Sequence, residues 1–147
     1  MIGLAPSEIR QRIAAAIRTL DGWTESRWVY DLYPLETSSL AHRSYAVGVS
    51  SSTPADRDRQ RRAVGVLMSS SVSVRWLHRV RADRQVADYD DALDSELALM
   101  AAIAKIDNDP DLSLRLDSIP SRSIVGDGTY LLGELSFIVL HRYSLGG

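Results

Sequence analysis

The sequence predicts an α+β fold: a roughly four-stranded, mainly antiparallel sheet, with an N-terminal helix and a long central helix packed on one face. Residues 72–81 alternate apolar and polar side chains, which is the period of a strand with one dry face. From Asp88 onward, apolar residues instead recur at helical spacing. Strand-like alternation returns over 111–143, and two hairpins that carry helices are the simplest arrangement of these elements.

Length and composition indicate one globular domain over 1–147. The 147 residues are 45% hydrophobic and 24% charged, as is ordinary for a soluble protein. A net charge of −2 gives the whole molecule no attraction for nucleic acid or anionic membranes. The sequence has no cysteine, no apolar run of the roughly 20 residues that span a bilayer, and no basic-then-apolar leader. We therefore expect no disulfide, no thiolate metal site, no membrane partner, and synthesis in a cytoplasm.

The first element is a helix over about 6–21. Pro6 suits the first turn of a helix, where its missing N–H is not needed. Ile9, Ile13 and Ile17 fall on one apolar stripe, and Gly22 is a candidate left-handed cap. The pattern predicts a helix that packs on the core through one of its faces.

An aromatic-rich connection follows over 23–35. Its mixture of aromatic residues, charges and a proline predicts extended chain with at most a short strand. Large aromatic side chains are commonly buried in single domains, so we expect four of them to join the core. These are Trp23, Trp28, Tyr30 and Tyr33.

The next two strands are predicted to form a hairpin with a long basic loop. The first covers about 40–50 and the second 64–80, with a break or bulge near the serines at 69–71. The loop between them, 50–62, has polar loop composition, and loops of this length are usually functional or disordered. It carries four arginines that are candidates for an interface: Arg57, Arg59, Arg61 and Arg62.

The central helix is predicted over about 88–106. Asp88, Asp90 and Asp91 lie in its first turn, where carboxylates favour the positive end of the helix dipole. We expect these carboxylates to cap the helix and lie on its solvated face. The apolar stripe predicted to face the core consists of Tyr89, Leu93, Leu97, Met100 and Ala104.

A C-terminal hairpin is predicted over 111–143. Residues 111–119 alternate leucine with polar residues, and 120–129 form a turn region that contains an Asp127-Gly128 pair, a strong hairpin signal. The last strand is apolar on both faces, which predicts a central position in the sheet.

The sequence offers no pattern typical of an enzyme. The Gly-x-Ser-x-Gly elbow, the phosphate-binding loop and the dinucleotide fingerprint are all absent, so we expect no catalytic residue and no cofactor. His42, His78 and His141 each fall in a predicted strand, and two of them could approach each other. Without carboxylates at metal-ligand spacing, the expectation is hydrogen-bonded, partly buried histidines and no metal.

Glu134 is a lone carboxylate within the apolar last strand. Because an isolated buried charge is costly, we expect it either to form an ion pair with Arg75 or Arg79 on the sheet, or to lie on an exposed face. The arginines of the 50–62 loop could also bind the phosphates of a nucleic acid. Against this, Asp56 and Asp58 interrupt the basic run and no aromatic residue lies among the arginines. A solvated or subunit-facing loop is the preferred interpretation.

Two segments resemble a known family. Residues 74–93, Val-Arg-Trp-Leu-His-Arg-Val-Arg-Ala-Asp-Arg-Gln-Val-Ala-Asp-Tyr-Asp-Asp-Ala-Leu, are similar to the strand-to-helix segment of tail terminator proteins from tailed bacteriophages of the siphophage type. Residues 126–143, Gly-Asp-Gly-Thr-Tyr-Leu-Leu-Gly-Glu-Leu-Ser-Phe-Ile-Val-Leu-His-Arg-Tyr, resemble the C-terminal strand of the same family. The family also occurs in prophages and in particles like gene-transfer agents.

The resemblance implies a structural virion protein of the tail and neck region, assembled in the host cytoplasm. Tail terminators form hexameric rings that end growth of the tail tube and join the head connector. The implied partners are further copies of the chain, the tail tube protein, a connector or stopper protein and the tape-measure protein, with DNA only passing through the lumen. A head-completion or neck protein is the alternative, and a DNA-binding module is a more distant one.

Overall fold

Two long antiparallel strands, β3 (Val66–Arg79) and β6 (Tyr130–Tyr143), form the centre of the sheet and pair over their whole length. The computed structural model describes residues 4–29, 40–55, 66–117 and 120–143. β6 has neighbours on both edges, so its predicted central position is confirmed. Apolar residues on both faces of β6 follow from this position, because each face contacts a different cluster.

Four further strands extend the sheet on both sides. They are β1 (Thr24–Glu25), β2 (Ser44–Pro54), β4 (Leu112–Leu116) and β5 (Ser121–Val125). The order is β1-β2-β3-β6-β4, and β5 pairs with the other half of the same β6 edge. β1 runs parallel to β2, and the other pairs are antiparallel. The α+β class is thus confirmed, whereas the count of four strands is wrong, since the described residues form a mixed sheet of six.

The two additional strands are those with the weakest sequence signal. β1 has only two residues, too few to show an alternation. β5 lies inside the predicted turn region 120–129, where Pro120 and two serines give loop composition. The Gly126-Asp127-Gly128 turn does form a hairpin, with positive φ at all three residues, but it joins β5 to β6.

Helix α1 (Pro6–Arg18) confirms the N-terminal helix and ends earlier than its predicted limit. Pro6 occupies the first turn, and Gly22 adopts the expected left-handed backbone in the turn that follows. Ile9, Ile13 and Ile17 are fully buried, as their stripe predicts. The helix packs on β2, where the hydroxyl of Tyr45 donates a 3.1 Å hydrogen bond to the Ala14 carbonyl.

Helix α2 (Gln85–Ala104) confirms the long central helix, but it is rotated relative to the prediction. Short 3₁₀ turns, Ala82–Arg84 and Lys105–Asn108, flank it. Of the predicted core stripe, Tyr89 and Leu97 are exposed, Leu93 and Met100 are half-buried, and Ala104 is exposed. The buried face instead consists of Asp88, Ala92, Ser95, Glu96, Leu99, Ala102 and Ile103.

The main core lies between the two helices and one face of the sheet, so both helices pack on the same face as predicted. Tyr45, Val74 and Leu135 represent the three adjacent strands in this cluster. A smaller cluster on the opposite face contains Ala46, Leu77 and Leu132. We call that opposite side the open face of the sheet.

The hairpin of β2 and β3 is longer than predicted. β2 continues to Pro54, and the pairs run out to Pro54 opposite Met68. β3 is unbroken at its serines, and the register shift occurs in β2 between Val49 and Ser51. Most of the predicted 50–62 loop lies outside the described residues.

Trp76 and Gly133 are opposite each other at the centre of the β3–β6 pair. The fully buried indole of Trp76 lies over Gly133, where a Cβ atom would come 2.0 Å from a ring carbon. Trp23 contacts the same ring edge-on, with 6.4 Å between the ring centroids. Glycine is therefore required here by close packing, although its backbone is that of an ordinary strand.

Gly133→Ala should destabilise the fold by about 2–3 kcal/mol, because the new methyl group overpacks against Trp76. Chemical denaturation followed by Trp fluorescence measures the change. Ser136→Ala, in the same strand but on the open face, is the matched control and should shift stability by less than about 0.5 kcal/mol. Equal effects for the two variants would contradict the packing argument.

Candidate functional site

The predicted interface arginines, Arg57, Arg59, Arg61 and Arg62, lie outside the described residues. The structure describes the strands on either side of them. Ala55 donates a 2.8 Å backbone hydrogen bond to Leu67, one step beyond the last β2–β3 pair. The segment that carries the arginines therefore joins the two strands of one hairpin at its far end.

Glu134 lies directly opposite Arg75 in the β3–β6 register. The distance from Arg75 Nε to Glu134 Oε2 is 3.9 Å, and both side chains are about one-third exposed or less. Arg79, the other suggested partner, lies opposite Tyr130. The pair belongs to the open face, so the two readings of Glu134, an ion pair and a partly exposed face, both describe this site.

On the open face, small polar residues lie on one side of that pair and the apolar cluster of Ala46, Leu77 and Leu132 lies on the other. The side chains of Ser73 and Ser136 flank it on the two central strands and are half-buried. The alternation of the strands places further serines on the same side at the sheet edge: Ser113, Ser121 and Ser123. The open face thus combines short hydroxyl side chains with one cross-strand ion pair.

Asp88 is buried, contrary to the prediction of a solvated carboxylate. It accepts three hydrogen bonds from Arg81, from the backbone N–H at 2.8 Å, from Nε at 2.9 Å and from Nη2 at 3.0 Å. These contacts hold the pKa of Asp88 well below its usual value. The ion pair fixes the start of α2 against the end of β3. The position of Asp88 in the first helical turn did not by itself reveal this pairing.

Glu96 is a second buried carboxylate on the same face of α2, two helical turns further on. Arg122 of β5 donates to it from both Nε and Nη2, with 3.1 Å between Nε and Glu96 Oε1. The Glu96 side chain is 4% exposed and the Arg122 side chain 37% exposed. This pair attaches the edge strand β5 to the helix.

His42 and His78 do come together, with 4.5 Å between their ring centroids. His42 lies in the turn before β2 rather than in a strand, and its Nδ1 accepts the backbone N–H of Arg79 at 3.0 Å. Burial, and then the neighbouring His78 and arginines, lower the pKa of His42 from 6.5 to about 4. The pair is thus neutral at neutral pH.

The third histidine, His141, is fully buried beside Ser70. Its Nδ1 donates to the Leu4 carbonyl at 2.7 Å, so its Nε2 accepts the Ser70 hydroxyl, also at 2.7 Å. Ser52 makes a further 2.7 Å contact with Ser70. Because Ser70 has no exposed surface, this Ser–His pair ties the N-terminal segment to β6 and does not present a nucleophile.

Most of the exposed large apolar side chains lie in two groups at opposite edges of the sheet, while Leu116 of β4 and Leu140 of β6 are exposed outside them. One follows β1 and contains Trp28, 40% exposed, and Val29, 46% exposed. Of the four aromatic residues expected in the core, Trp23 packs against it, as predicted, and the expectation is wrong for Trp28. Tyr30 and Tyr33 lie outside the described residues. The other lies beside β5 and contains Val86 of α2, 78% exposed, with Tyr89 and Ile124. Sequence reasoning missed both groups, because it assigned these residues to the core or to connections.

Within the described segments, no helix is both long and apolar enough to cross a membrane, and no three histidine or acidic side chains are grouped so that they could hold a metal ion. The chain matches none of the known protein families against which it was compared, and no curated protein is significantly similar to it in sequence.

Arg122→Ala should destabilise the protein by about 2 kcal/mol, less than a fully buried pair would, because Arg122 is partly solvated. The loss leaves the Glu96 carboxylate buried without its cation. Hydrogen exchange should then accelerate selectively in β5. The control is a double-mutant cycle with Glu96→Gln, Arg122→Ala and the two combined. If the loss of stability in the double variant equals the sum of the two single losses, the ion pair contributes nothing.

His42 should titrate near pH 4, and the protein should lose stability as the pH falls from 6.5 toward that value. The folded-state pKa is lowered, so over this window the unfolded state binds more protons and acid favours unfolding. NMR of the His42 ring measures the pKa, and unfolding midpoints measure the stability. His42→Gln should reduce the pH dependence without abolishing it, because burial lowers the pKa of His78 and of His141 as well. A titration of His42 at or above pH 6.5 would contradict this prediction.

Proposed function

We propose that this protein caps the head-proximal end of a bacteriophage tail tube as a ring, which ends tube polymerisation and provides the joining surface for the head connector. One observation carries the proposal. The two segments that resemble tail terminators, 74–93 and 126–143, are neighbours in space, because β3 pairs with β6 throughout. The resemblance thus covers the end of β3, the first part of α2 and the whole of β6, which pairs with β3.

The edges of the sheet support a role in assembly. β1 pairs only with Ser44 and Tyr45, so among the described residues no strand pairs with the longer, outer part of β2 on that side. On the other side of the sheet, β5 pairs only with β6. The outer edge of β4 is partly covered, because Leu114 donates its backbone N–H to the Asp107 carboxylate at 2.7 Å. Ring formation requires contacts between two different surfaces of each copy, and exposed strand edges are one kind of surface that serves this purpose.

The proposed role is structural, with no catalytic residue and no cofactor. The proposed partners are the protein itself as a hexameric ring, the tail tube protein, the connector or stopper protein and the tape-measure protein. DNA would contact it only in passing through the lumen. In this scheme the arginines of the β2–β3 hairpin face a neighbouring copy or the tube, and the location is the neck of the virion.

Disruption of the gene should produce headless tails of abnormal, variable length, because nothing would stop addition of tube subunits. Electron microscopy of the lysate measures tail length, and complementation with the intact gene is the control. Complementation with the Arg57→Ala, Arg59→Ala, Arg61→Ala and Arg62→Ala variant should restore normal length poorly. Tails of normal length beside unjoined, DNA-filled heads would instead indicate the alternative, a head-completion or neck protein.

A further inference from the structure

The exposed apolar stripe of α2 borders a groove beside β5. Val86, Tyr89 and Ile124 line it together with Gln85 and Gly128, and its volume is about 450 Å³. Volumes of this size accommodate a large side chain with its neighbours. Helical spacing places Leu97, 67% exposed, on the Val86 stripe, so the apolar surface continues along the helix.

The rim of this groove is acidic. Asp90 lies one turn from Val86 on α2, Asp83 lies just before the helix, and Asp127 lies in the turn beside Gly128. All three are exposed. Of the arginines nearby, Arg81 is already in an ion pair with Asp88, whereas Arg84, next to Gln85, is exposed. The three carboxylates outnumber it, so the rim has a net negative charge. We call the groove and its rim the acidic groove.

The exposed segment after β1 has the complementary character. Arg27 stacks on Trp28, with 5.2 Å from the guanidinium carbon to the ring centroid, and Val29 follows. All three side chains are exposed. Two arginines of α1, Arg10 and Arg18, both pair with the single carboxylate of Glu25 in β1. This edge of the sheet therefore has an excess of positive charge. Tryptophan and arginine are the residue types most enriched at interface hot spots.

The two surfaces lie at opposite edges of one sheet. Four strand spacings separate β1 from β5 in the order β1-β2-β3-β6-β5, which is about 19 Å at ~4.8 Å per spacing. One copy therefore cannot fill its own groove. A contact between these surfaces joins unlike faces of two copies, and repeating it produces a ring or a filament rather than a closed dimer.

We propose that the acidic groove binds the Arg27-Trp28-Val29 segment of a second copy of this chain. Trp28 and Val29 cover the apolar stripe of α2, and Arg27 lies against the acidic rim. The inference rests on the proposed function, since a ring requires such a head-to-tail contact. It deepens that function by naming the two surfaces that meet.

Cysteine cross-linking tests the contact directly, because the chain has no cysteine of its own. Val29→Cys and Val86→Cys are prepared as separate proteins, mixed and oxidised. A disulfide needs Cα atoms within about 7 Å, so a mixed dimer should form well above either homodimer. Leu116→Cys, an exposed apolar position on β4, replaces Val86→Cys as the matched control and should give little product. Both cysteines in one chain should give a ladder of multimers.

Charge and hot-spot variants give the second readout. Trp28→Ala should weaken association by about 30-fold, as is typical of a hot spot worth about 2 kcal/mol. Arg27→Glu and Asp90→Arg should each reduce cross-linking, and their combination in one chain should restore it. Analytical ultracentrifugation and the cross-link yield measure both effects.

The cross-link is measured on the pure protein and on tails from the complemented lysate. Homodimers of Val86→Cys that exceed the mixed product, or no mixed product in either sample, would overturn the proposed contact. Tail-length control could still hold in that case, with the ring closed by other surfaces. Cross-linked multimers combined with normal tails in the disrupted strain would instead leave the contact standing and remove the tail-capping function.

Discussion

The antiparallel pairing of β3 with β6 is the constraint on which the other elements depend. Each of these strands has 14 residues, and they pair without interruption, so every side chain on one strand has a fixed neighbour on the other. The register places Trp76 over Gly133 and Arg75 beside Glu134. If β3 shifted by one residue against β6, its side chains would change faces, so that the indole of Trp76 would be exposed and Arg75 would be buried. The packing of Trp76 on Gly133 therefore stabilises the observed register.

Two buried carboxylates orient the central helix on this sheet. Asp88 and Glu96 lie on the face of α2 that points inward. Asp88 accepts hydrogen bonds from Arg81, in the connection between β3 and α2, and Glu96 accepts them from Arg122 of β5. Removing one member of such a pair leaves a buried charge, so the helix cannot rotate without losing both pairs. This explains why the apolar residues Val86 and Leu97 remain exposed on the outer face.

The proposed assembly would cover the exposed apolar residues of this protein. Contiguous apolar surface on a small protein commonly marks a site of interaction, and here it occurs at both edges of the sheet with opposite charge around it. The proposed ring would cover both surfaces at once. The polar open face, with its serines and the Arg75–Glu134 pair, would remain available to a different neighbour or to the lumen.

The sequence by itself determined the α+β class, both helices, the two long central strands and the turn at 126–128, because each has a strong local period or a conformational requirement met by few residues. Tertiary structure alone decided the number of strands, since a two-residue strand and a serine-rich edge strand become strands only by pairing with a neighbour. It also decided which face of α2 is buried. Helical periodicity predicted that the stripe of Tyr89, Leu93 and Leu97 faces the core, and this is wrong for the exposed Tyr89 and Leu97. The face that carries Asp88 and Glu96 is buried instead, because Arg81 and Arg122 pair with these carboxylates.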